Sequence, residues 1–562
     1  MQEEIRKAIQ AVLGELGITD IDFVVEHPAD MSHGDYATNA ALVCSKQLGK
    51  SPREIAEQFC TSLVGRIQNV ESISIAGPGF INFTLSRDFF REKIAGILAH
   101  PDAWGRNNSW SGKKVLVEYT DPNPFKEFHV GHLFTNTVGE SIARLFMMSG
   151  AEVKRLNYGS DVGLHVAHAI WGMRELGITA DSTFTARDLG RAYAHGATAY
   201  KNEDPRAVQE IRDINKKIYE RDDAELNVLY DKGRAVSISY FKEMYAILDS
   251  EFDAQFFESE VAGPGKALVL AHPDLFPQSD GAYIFEGEKY GLHTRVFLNK
   301  EGLPTYEAKE LALAKLKEER LGTYDYSVIS TANEITEYFK VLKQAMSFIY
   351  PELAEKTEHI GHGMVRLADG KMSSRTGNVI AAIDFIEEVA DAAAAKMDEG
   401  GKTAPTEELA RDIAIGAIRY ATLHGSISQN SVFDKEKALS FEGDSGPYLQ
   451  YTHARIVSVL EKAAGVGVTP HTDVVPEDAY LIEKHLYQFE EVVKEALDDR
   501  APHKVAVYLT ELAGAFNAFY GNEKIADGGD TYAPYKAAIA DAVRITLKNG
   551  LWVLGIKAPE KM

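Results

Sequence analysis

The stretch NPFKEFHVGHL, residues 123–133, carries two histidines with a glycine between them and a lysine just ahead of the first. It follows the apolar run KKVLVEY and precedes FTNTVGESIARLFMM, whose apolar spacing is helical. Three chemistries fit such a pair. A metal site wants His pairs on one helix and a third ligand, and His129 and His132 lack the adjacent acid of the HExxH pattern. A packing role at a strand–helix junction is the second. Phosphate chemistry is the third. In open parallel sheets ligands bind beyond the carboxyl ends of the strands, and a helix start offers free N–H groups and a positive dipole end to an anion. Gly131 would let a nucleotide approach the backbone closely. Two imidazoles could then donate to phosphoryl oxygens whose charge grows in the transition state.

A second stretch, LADGKMSSRTGNVI at 367–380, follows the strand-like HIGHGMVRL and precedes a helix beginning near 381. Gly370, Lys371, Ser373, Ser374 and Gly377 make a polar loop with a cation at its centre. Such a loop can close over a pyrophosphate leaving group, or it is an ordinary basic surface turn. The two stretches together are more specific than either alone.

These residues need elements to hold them. Residues 1–110 read as a small α/β unit, with helical patterns at 3–16 and 35–66 and strand-like runs IDFVVE, SISIAG and FINFTL, the last two joined at GPG. HPDAWGRNNSWSG, 100–112, reads as a linker. From 113 to 405 strand and helix alternate: KKVLVEY, EVKRLNY, AYIFEG, TRVFLN, YSVIST and HIGHGMVRL between helices at 132–148, 162–177, 306–319, 333–348 and 381–397. That alternation predicts a parallel sheet covered by helices. Residues 206–250 are charged and helical, an insertion. From about 406 the strands are expected to stop, leaving amphipathic helices at 406–425, 446–465, 475–499, 502–521 and 532–550, a bundle. No internal repeat or low-complexity tract occurs.

A chain of 562 residues has room for roughly three or four domains. Its 45% hydrophobic and 25% charged content is that of a soluble globular protein. No apolar run is long enough to span a bilayer, and the opening MQEEIRKAIQ reads as an amphipathic helix with acidic residues rather than a signal peptide. Cytosol is the expected location. The two cysteines, Cys44 and Cys60, have no His or Cys at ligand spacing, so a disulfide framework or a cysteine zinc site is not expected. A net charge of −23 argues against a polyanion partner. The deficit is concentrated mid-chain, however, and binding answers to local patches.

HVGH in the first half of a parallel α/β domain and KMSSR in its last part resemble the two signatures of class I aminoacyl-tRNA synthetases. More narrowly, the chain resembles arginyl-tRNA synthetases nearly end to end. The likeness runs through GDYATNAALVCSKQLGKSP, AGPGFINFTL, VEYTDPNPFKEFHVGHL, LNYGSDVGL, PTYEAKELAL, MVRLADGKMSSRTGNV, GPYLQYTHARIVSVL and GLWVLGIKAPEKM. The resemblance implies a Rossmann-like catalytic domain at 111–405 with the insertion near 206–250. It implies an additional tRNA-binding domain at 1–110 and an α-helical anticodon-binding domain at 406–562. It implies ATP-dependent activation of L-arginine to the adenylate, then transfer to the terminal adenosine of tRNA(Arg). ATP would bring Mg2+ as its counter-ion, with no structural metal, and the protein would act as a monomer. The family typically needs its tRNA even for activation.

Residue by residue, the resemblance gives His129, Gly131, His132 and Ser374 to ATP, Lys371 and Ser373 to its pyrophosphate end, and backbone near Met364 and Val365 to adenine. The general class I loop, KMSKS, has a second lysine where this chain has Ser374 followed by Arg375. Many arginyl enzymes resemble it there and carry a lysine before the histidine motif. That makes Lys126 the replacement cation. Arginine's guanidinium is held by carboxylates in a planar fork. The family's amino-acid contacts match Glu118, Asn123, Glu258, Tyr306 and Glu310, with Tyr306 and Glu310 at i, i+4 on one helical face. Without the resemblance, the segment ELALAKLKEER is charged throughout and reads as solvated. Two positions depart from the pattern: the family's helix acid is usually Asp rather than Glu310, and its Glu-Gln pair reads Glu334-Ile335 here. In the helical tail, Tyr448, Tyr451, Phe516, Phe519 and Tyr520 have spacings that serve either a core or base stacking. A stand-alone nucleotidyltransferase would lack this tail, and a non-catalytic relative would typically lose a histidine or the loop lysine.

Overall fold

Val115, Leu116 and Val117 have no exposed surface, the mark of a strand covered on both faces. They belong to β1 (Lys114–Glu118), the middle of a five-stranded parallel sheet. The others are β2 (Glu152–Gly159), β3 (Ala254–Phe257), β4 (Tyr326–Ala332) and β5 (Thr357–His362), in the order β5-β4-β1-β2-β3. Helices follow the strands: α1 (Val130–Met148), α2 (Leu164–Glu175), α3 (Ala186–Lys201), α4 (Pro205–Glu220), α5 (Ala224–Ile247), α6 (Glu258–Ala271), α7 (Tyr306–Leu321) and α8 (Thr336–Ile349). Strand order reverses beside β1, where β2 lies on one side and β4 on the other. That is the switch point at which such sheets open a crevice at their carboxyl ends. The computed structural model describes residues 1–368, 380–399 and 405–562. The loop expected at 370–377, with Lys371, Ser373 and Ser374, lies outside the described residues.

Contacts divide the chain into two units. One comprises 1–104, 456–489 and 512–546; the other comprises 105–455, 490–511 and 547–562. The first holds a four-stranded antiparallel sheet in the order Val25–Glu26, Tyr36–Thr38, Phe80–Leu85, Val70–Ala76. The helical pattern expected over 35–66 is three elements: the strand at Tyr36–Thr38 and helices Ala40–Leu48 and Pro52–Leu63. Gly49 at φ 61° ends the first helix. Ser51 and Glu54 cap the second reciprocally, Glu54 N–H to Ser51 Oγ at 3.3 Å and Ser51 N–H to Glu54 Oε2 at 3.0 Å. Arg87 pairs with the buried Glu483 at 2.8 Å and lies 5.0 Å over the Tyr535 ring. Phe516 and Phe519 are buried, as helix-core residues are, and Tyr520 stacks on Phe516. Cys44 and Cys60 are free thiols whose pKa burial raises.

In the second unit two expectations fail. AYIFEG and TRVFLN do not join the parallel sheet; Ala282–Phe285 pairs antiparallel with Arg295–Leu298 on one side and Gln278–Ser279 on the other in a separate sheet. Strands do not stop at 406 either, since Ser431–Phe433 pairs parallel with Val365–Leu367. Alternation identifies strands but not their partners, and three-residue strands carry almost no periodic signal. Among the described residues no helix is long and apolar enough to cross a membrane.

Candidate active site

Between β1 and α1 the backbone is forced into an unusual course. Thr120, Asp121 and Phe125 have φ of 78°, 46° and 67°, the left-handed region, without a glycine among them. Surrounding bonds fix this shape. Asn136 Nδ2 donates to Thr120 Oγ1 at 3.1 Å, the Tyr158 N–H to Asp121 Oδ1 at 2.8 Å, and the Ser160 N–H to Asn123 Oδ1 at 3.1 Å. The Phe125 N–H donates to Ser237 Oγ on α5 at 2.9 Å, and its ring lies so close to Gly233 that a Cβ there would come within 2.3 Å of it. The loop thus delivers residues 126–132 to the crevice in one fixed register.

His129 caps α1. Its N–H donates to His132 Nδ1 at 3.2 Å, and the two rings stack at 3.6 Å. Because Nδ1 of His132 accepts, Nε2 carries the ring proton and is free to donate. Burial, then the charge of Lys126, brings His129 down to about 4. Burial, His129 and Lys126 hold His132 well below the usual imidazole range. Both rings are neutral N–H donors at pH 7. Nδ1 of His129 is buried without a hydrogen-bond partner among the described residues. A Cβ on Gly131 would meet the His129 ring at 2.9 Å, so the glycine leaves room for the imidazole. Lys126 Nζ lies 4.6 Å from the Tyr193 ring centroid and has no ion-pair partner among the described residues.

The far end of the signature segment, from Ile380 onward, is tied to this motif. The Val130 N–H donates to Ile380 O at 3.2 Å and the Ala382 N–H to Phe128 O at 2.8 Å, with a bridge between His129 and Ala381. The near end leaves from Val365–Leu367. Met364 is bonded on both sides, its N–H to Asn430 Oδ1 at 2.8 Å and its O from the Ser431 N–H at 3.0 Å. In a parallel pair the next residue, Val365, then turns its N–H and C=O to the opposite edge. A cavity of 180 Å³ opens here, lined by Phe134, Val138, His362, Gly363, Val365 and Thr422 among others.

A carboxylate cluster fills the rest of the crevice. Glu118, at the end of β1, is buried and lies 2.7 Å from Lys317 Nζ. Glu258, at the start of α6, is buried and paired with Lys309. Glu310 lies on α7 between these lysines in sequence and has no ion-pair partner among the described residues. Burial and the neighbouring Glu118 push its pKa up to about 8. Asp121 is likewise raised by burial and Glu118. Tyr306 is 57% exposed at the rim, with Lys309 Nζ 4.6 Å from its ring. Ile335 is 41% exposed and offers no polar group.

The structure therefore brings Lys126, His129, Gly131 and His132 together, and likewise Glu118, Glu258 and Glu310. Sequence reasoning missed Lys309 and Lys317, which are only 4% and 2% exposed. ELALAKLKEER is not solvated on this side. The available signal was spacing: 306, 310 and 317 fall on one helical face. Among the described residues no group of three or more His, Cys, Asp or Glu is placed to hold a metal ion.

A family profile described as tRNA synthetases class I (R), catalytic domain, matches residues 93–435. The DALR anticodon binding domain matches 449–562 and the arginyl tRNA synthetase N terminal domain matches 1–85. The chain is 30% identical over 550 residues to the arginine–tRNA ligase of Clostridium acetobutylicum, covering 96% of each. It is 31% identical over 579 residues to that of Limosilactobacillus reuteri, covering 100% of both. The solved arginyl-tRNA synthetase of Thermus thermophilus superposes with a TM-score of 0.81 at 26% identity over 100% of both chains. That of Plasmodium falciparum shares the fold, with a TM-score of 0.79 at 20% identity over 100% and 99%.

Proposed function

The chain belongs to the arginyl-tRNA synthetase family of class I aminoacyl-tRNA synthetases, and on that premise we propose how its residues divide the reaction of an arginine–tRNA ligase. The carboxylate of L-arginine attacks the α-phosphorus of ATP, pyrophosphate leaves, and the adenylate passes its arginyl group to the terminal adenosine of tRNA(Arg). No covalent enzyme intermediate is needed; positioning and charge stabilisation carry the rate. His129 and His132 donate N–H groups to the phosphates, Gly131 keeps the His129 ring in place, and Lys126 supplies positive charge. Lys371 and Ser373 take the pyrophosphate end, and Ser374 also binds ATP. Val365 offers its backbone edge to adenine beside Met364 and the cavity at Phe134 and Val138. ATP arrives with Mg2+ as its counter-ion. Residues 1–110 and 406–562 hold the tRNA body and anticodon, and the protein works as a cytoplasmic monomer.

For the amino acid, Asn123 faces the α-substituents, while Glu118, Glu258, Tyr306 and Glu310 surround the side chain. The observation that carries this assignment is the unpaired Glu310 between two carboxylates that already have lysines. It is the acid left waiting for a cation. A neutral amino acid brings no cation for Glu310 to ionise against, so it forgoes the charge-assisted pair that arginine makes. ATP–pyrophosphate exchange with arginine, lysine and citrulline, with and without tRNA, tests it. Arginine and tRNA together are expected to support exchange, and citrulline is not. Equal turnover of citrulline would refute the pocket.

The same acid predicts a pH effect. With a pKa of about 8 in the free protein, Glu310 is mostly protonated at pH 7. A guanidinium beside it favours the ionised form and lowers the pKa on binding. Arginine affinity is therefore full above pH 8 and falls as pH drops below it, by about tenfold per unit until the lower, bound-state pKa is reached. Binding near pH 7 should release a proton, seen as calorimetric heats that vary with buffer ionisation enthalpy. Buffer-independent heats would contradict the assignment.

A further inference from the structure

Two phenol hydroxyls in the carboxylate cluster have no bond to make. Tyr158, at the end of β2, and Tyr338, on α8, are each 8% exposed, and the Oη of each is buried without a hydrogen-bond partner among the described residues. Both rings belong to the core that packs the sheet against α7 and α8. Tyr338 packs edge-on against Phe339 and carries the Arg295 guanidinium 5.6 Å over its ring. A phenylalanine would pack equally well at either position without burying an unpaired hydroxyl, which costs free energy when nothing satisfies it.

The surroundings say what would satisfy them. Burial, then the charges of Glu258 and Glu310, raises the Tyr158 hydroxyl, and burial, then Glu310, Glu307 and Glu258, raises that of Tyr338; the Arg295 that lies over Tyr338 pairs with Glu307 on α7 at 3.5 Å, one turn before Glu310. The backbone agrees: Tyr158 is in register with Phe256 on β3, two residues before Glu258, and its own N–H is held by Asp121. Tyr338 follows Ile335 by three residues, in the first turn of α8, and is 8% exposed where Ile335 is 41% exposed. A planar guanidinium has five N–H donors, and one carboxylate takes two of them. The rest need acceptors. A phenol oxygen can accept from the guanidinium while its O–H donates to a carboxylate.

We propose that Tyr158 and Tyr338 are specificity residues for the amino acid, their hydroxyls accepting guanidinium N–H bonds and donating to Glu258 and Glu310. An ammonium on a shorter reach would leave one or both unpaired, so the hydroxyls select a guanidinium over lysine beyond what charge alone achieves. The proposal rests on the pocket assigned above.

The test uses the full-length enzyme with tRNA and the variants Tyr158→Phe, Tyr338→Phe and the double. Each single change is expected to raise KM for arginine by roughly tenfold, the scale of a lost hydrogen bond to a charged group. KM for ATP and kcat should stay within about threefold, the pattern of lost ground-state binding. Arginine-over-lysine discrimination should fall, and thermal stability should hold or rise. Unchanged KM for arginine in all three variants overturns the proposal. So does a parallel rise in KM for arginine and ATP with a lower Tm, which marks a packing role. Glu310→Gln, run alongside, separates the premises. If it weakens arginine binding while the phenylalanine variants do not, only the hydroxyl roles fall. If it leaves KM for arginine unchanged, the pocket falls and this proposal with it.

Discussion

Replacing Lys126 with alanine is expected to lower kcat for tRNA-dependent arginine activation by about 10²-fold or more, the scale of losing one transition-state donor. KM for arginine should stay within about threefold, since the loss falls on the chemical step. Lys126 is the cation to choose because its charge is unspent. No carboxylate pairs with it among the described residues, and its Nζ rests 4.6 Å from the Tyr193 ring. Its field reaches both histidines, contributing to the depression of each. In the proposed division of roles, Lys126 makes up for the lysine that the general class I sequence carries where this chain has Ser374. The variant also shifts the histidines. Removing the lysine lets the His129 pKa rise from about 4, though burial, the larger cause, keeps it below 6.5. Protonation then sets in at higher pH than in the parent enzyme. Lys126→Arg should restore part of the rate, because charge rather than shape is at stake. Pyrophosphate exchange within threefold of the parent would rule the role out.

Arg419→Met should strongly destabilise the unit that holds the histidine helix. Arg419 is fully buried. Its Nη2 donates to Leu248 O at 2.6 Å and to Asn136 Oδ1 at 3.2 Å, and its Nη1 donates to Gly555 O. Burial and Arg144 depress its pKa to about 10, so it remains charged at pH 7. Close by, Glu140 binds Arg144 at 2.8 Å and the Tyr119 hydroxyl at 2.5 Å. Removing the guanidinium strands several acceptors and leaves Glu140 with less counter-charge. Breaking a buried charge cluster from one side costs about 3–5 kcal/mol, a large share of the roughly 5–15 kcal/mol that holds a domain folded. Denaturant and thermal unfolding measure it. A midpoint matching the parent's would show that the acceptors find other partners. Asn136 also lies on α1, so arginine activation should fall as well.

Much of this was readable from the residues. Val115–Val117 announce a doubly covered strand, and KKVLVEY followed by FTNTVGESIARLFMM announces the strand-to-helix junction that holds Lys126 and His129. The resemblance singled out Glu118, Glu258 and Glu310, which lie near one another in the structure. The buried cations were not. Lys309 and Lys317 look like the solvated lysines around them, and only the partners across the crevice, Glu258 and Glu118, make burial affordable. Tyr158 and Tyr338 escaped for a related reason: at strand and helix positions a tyrosine reads as core, and only the structure exposes a hydroxyl without a partner. The antiparallel pairing of Ala282–Phe285 with Arg295–Leu298 was hidden because strand direction is set by the turn between them, not by alternation.

The bonds of Arg419 bear on how the protein is made. Asn136 is separated from Arg419 by 283 residues, and Arg419 from Gly555 by a further 136. A chain emerging from the ribosome N-terminus first has built the histidine helix long before the groups that complete its interior exist. Until residue 555 arrives, the nascent catalytic unit carries a half-satisfied charged core, the kind of non-local closure that slows folding and leaves surface exposed to misassembly. Prematurely terminated chains should therefore be clients of chaperones and proteases rather than partial enzymes, even when they contain every residue that touches a substrate.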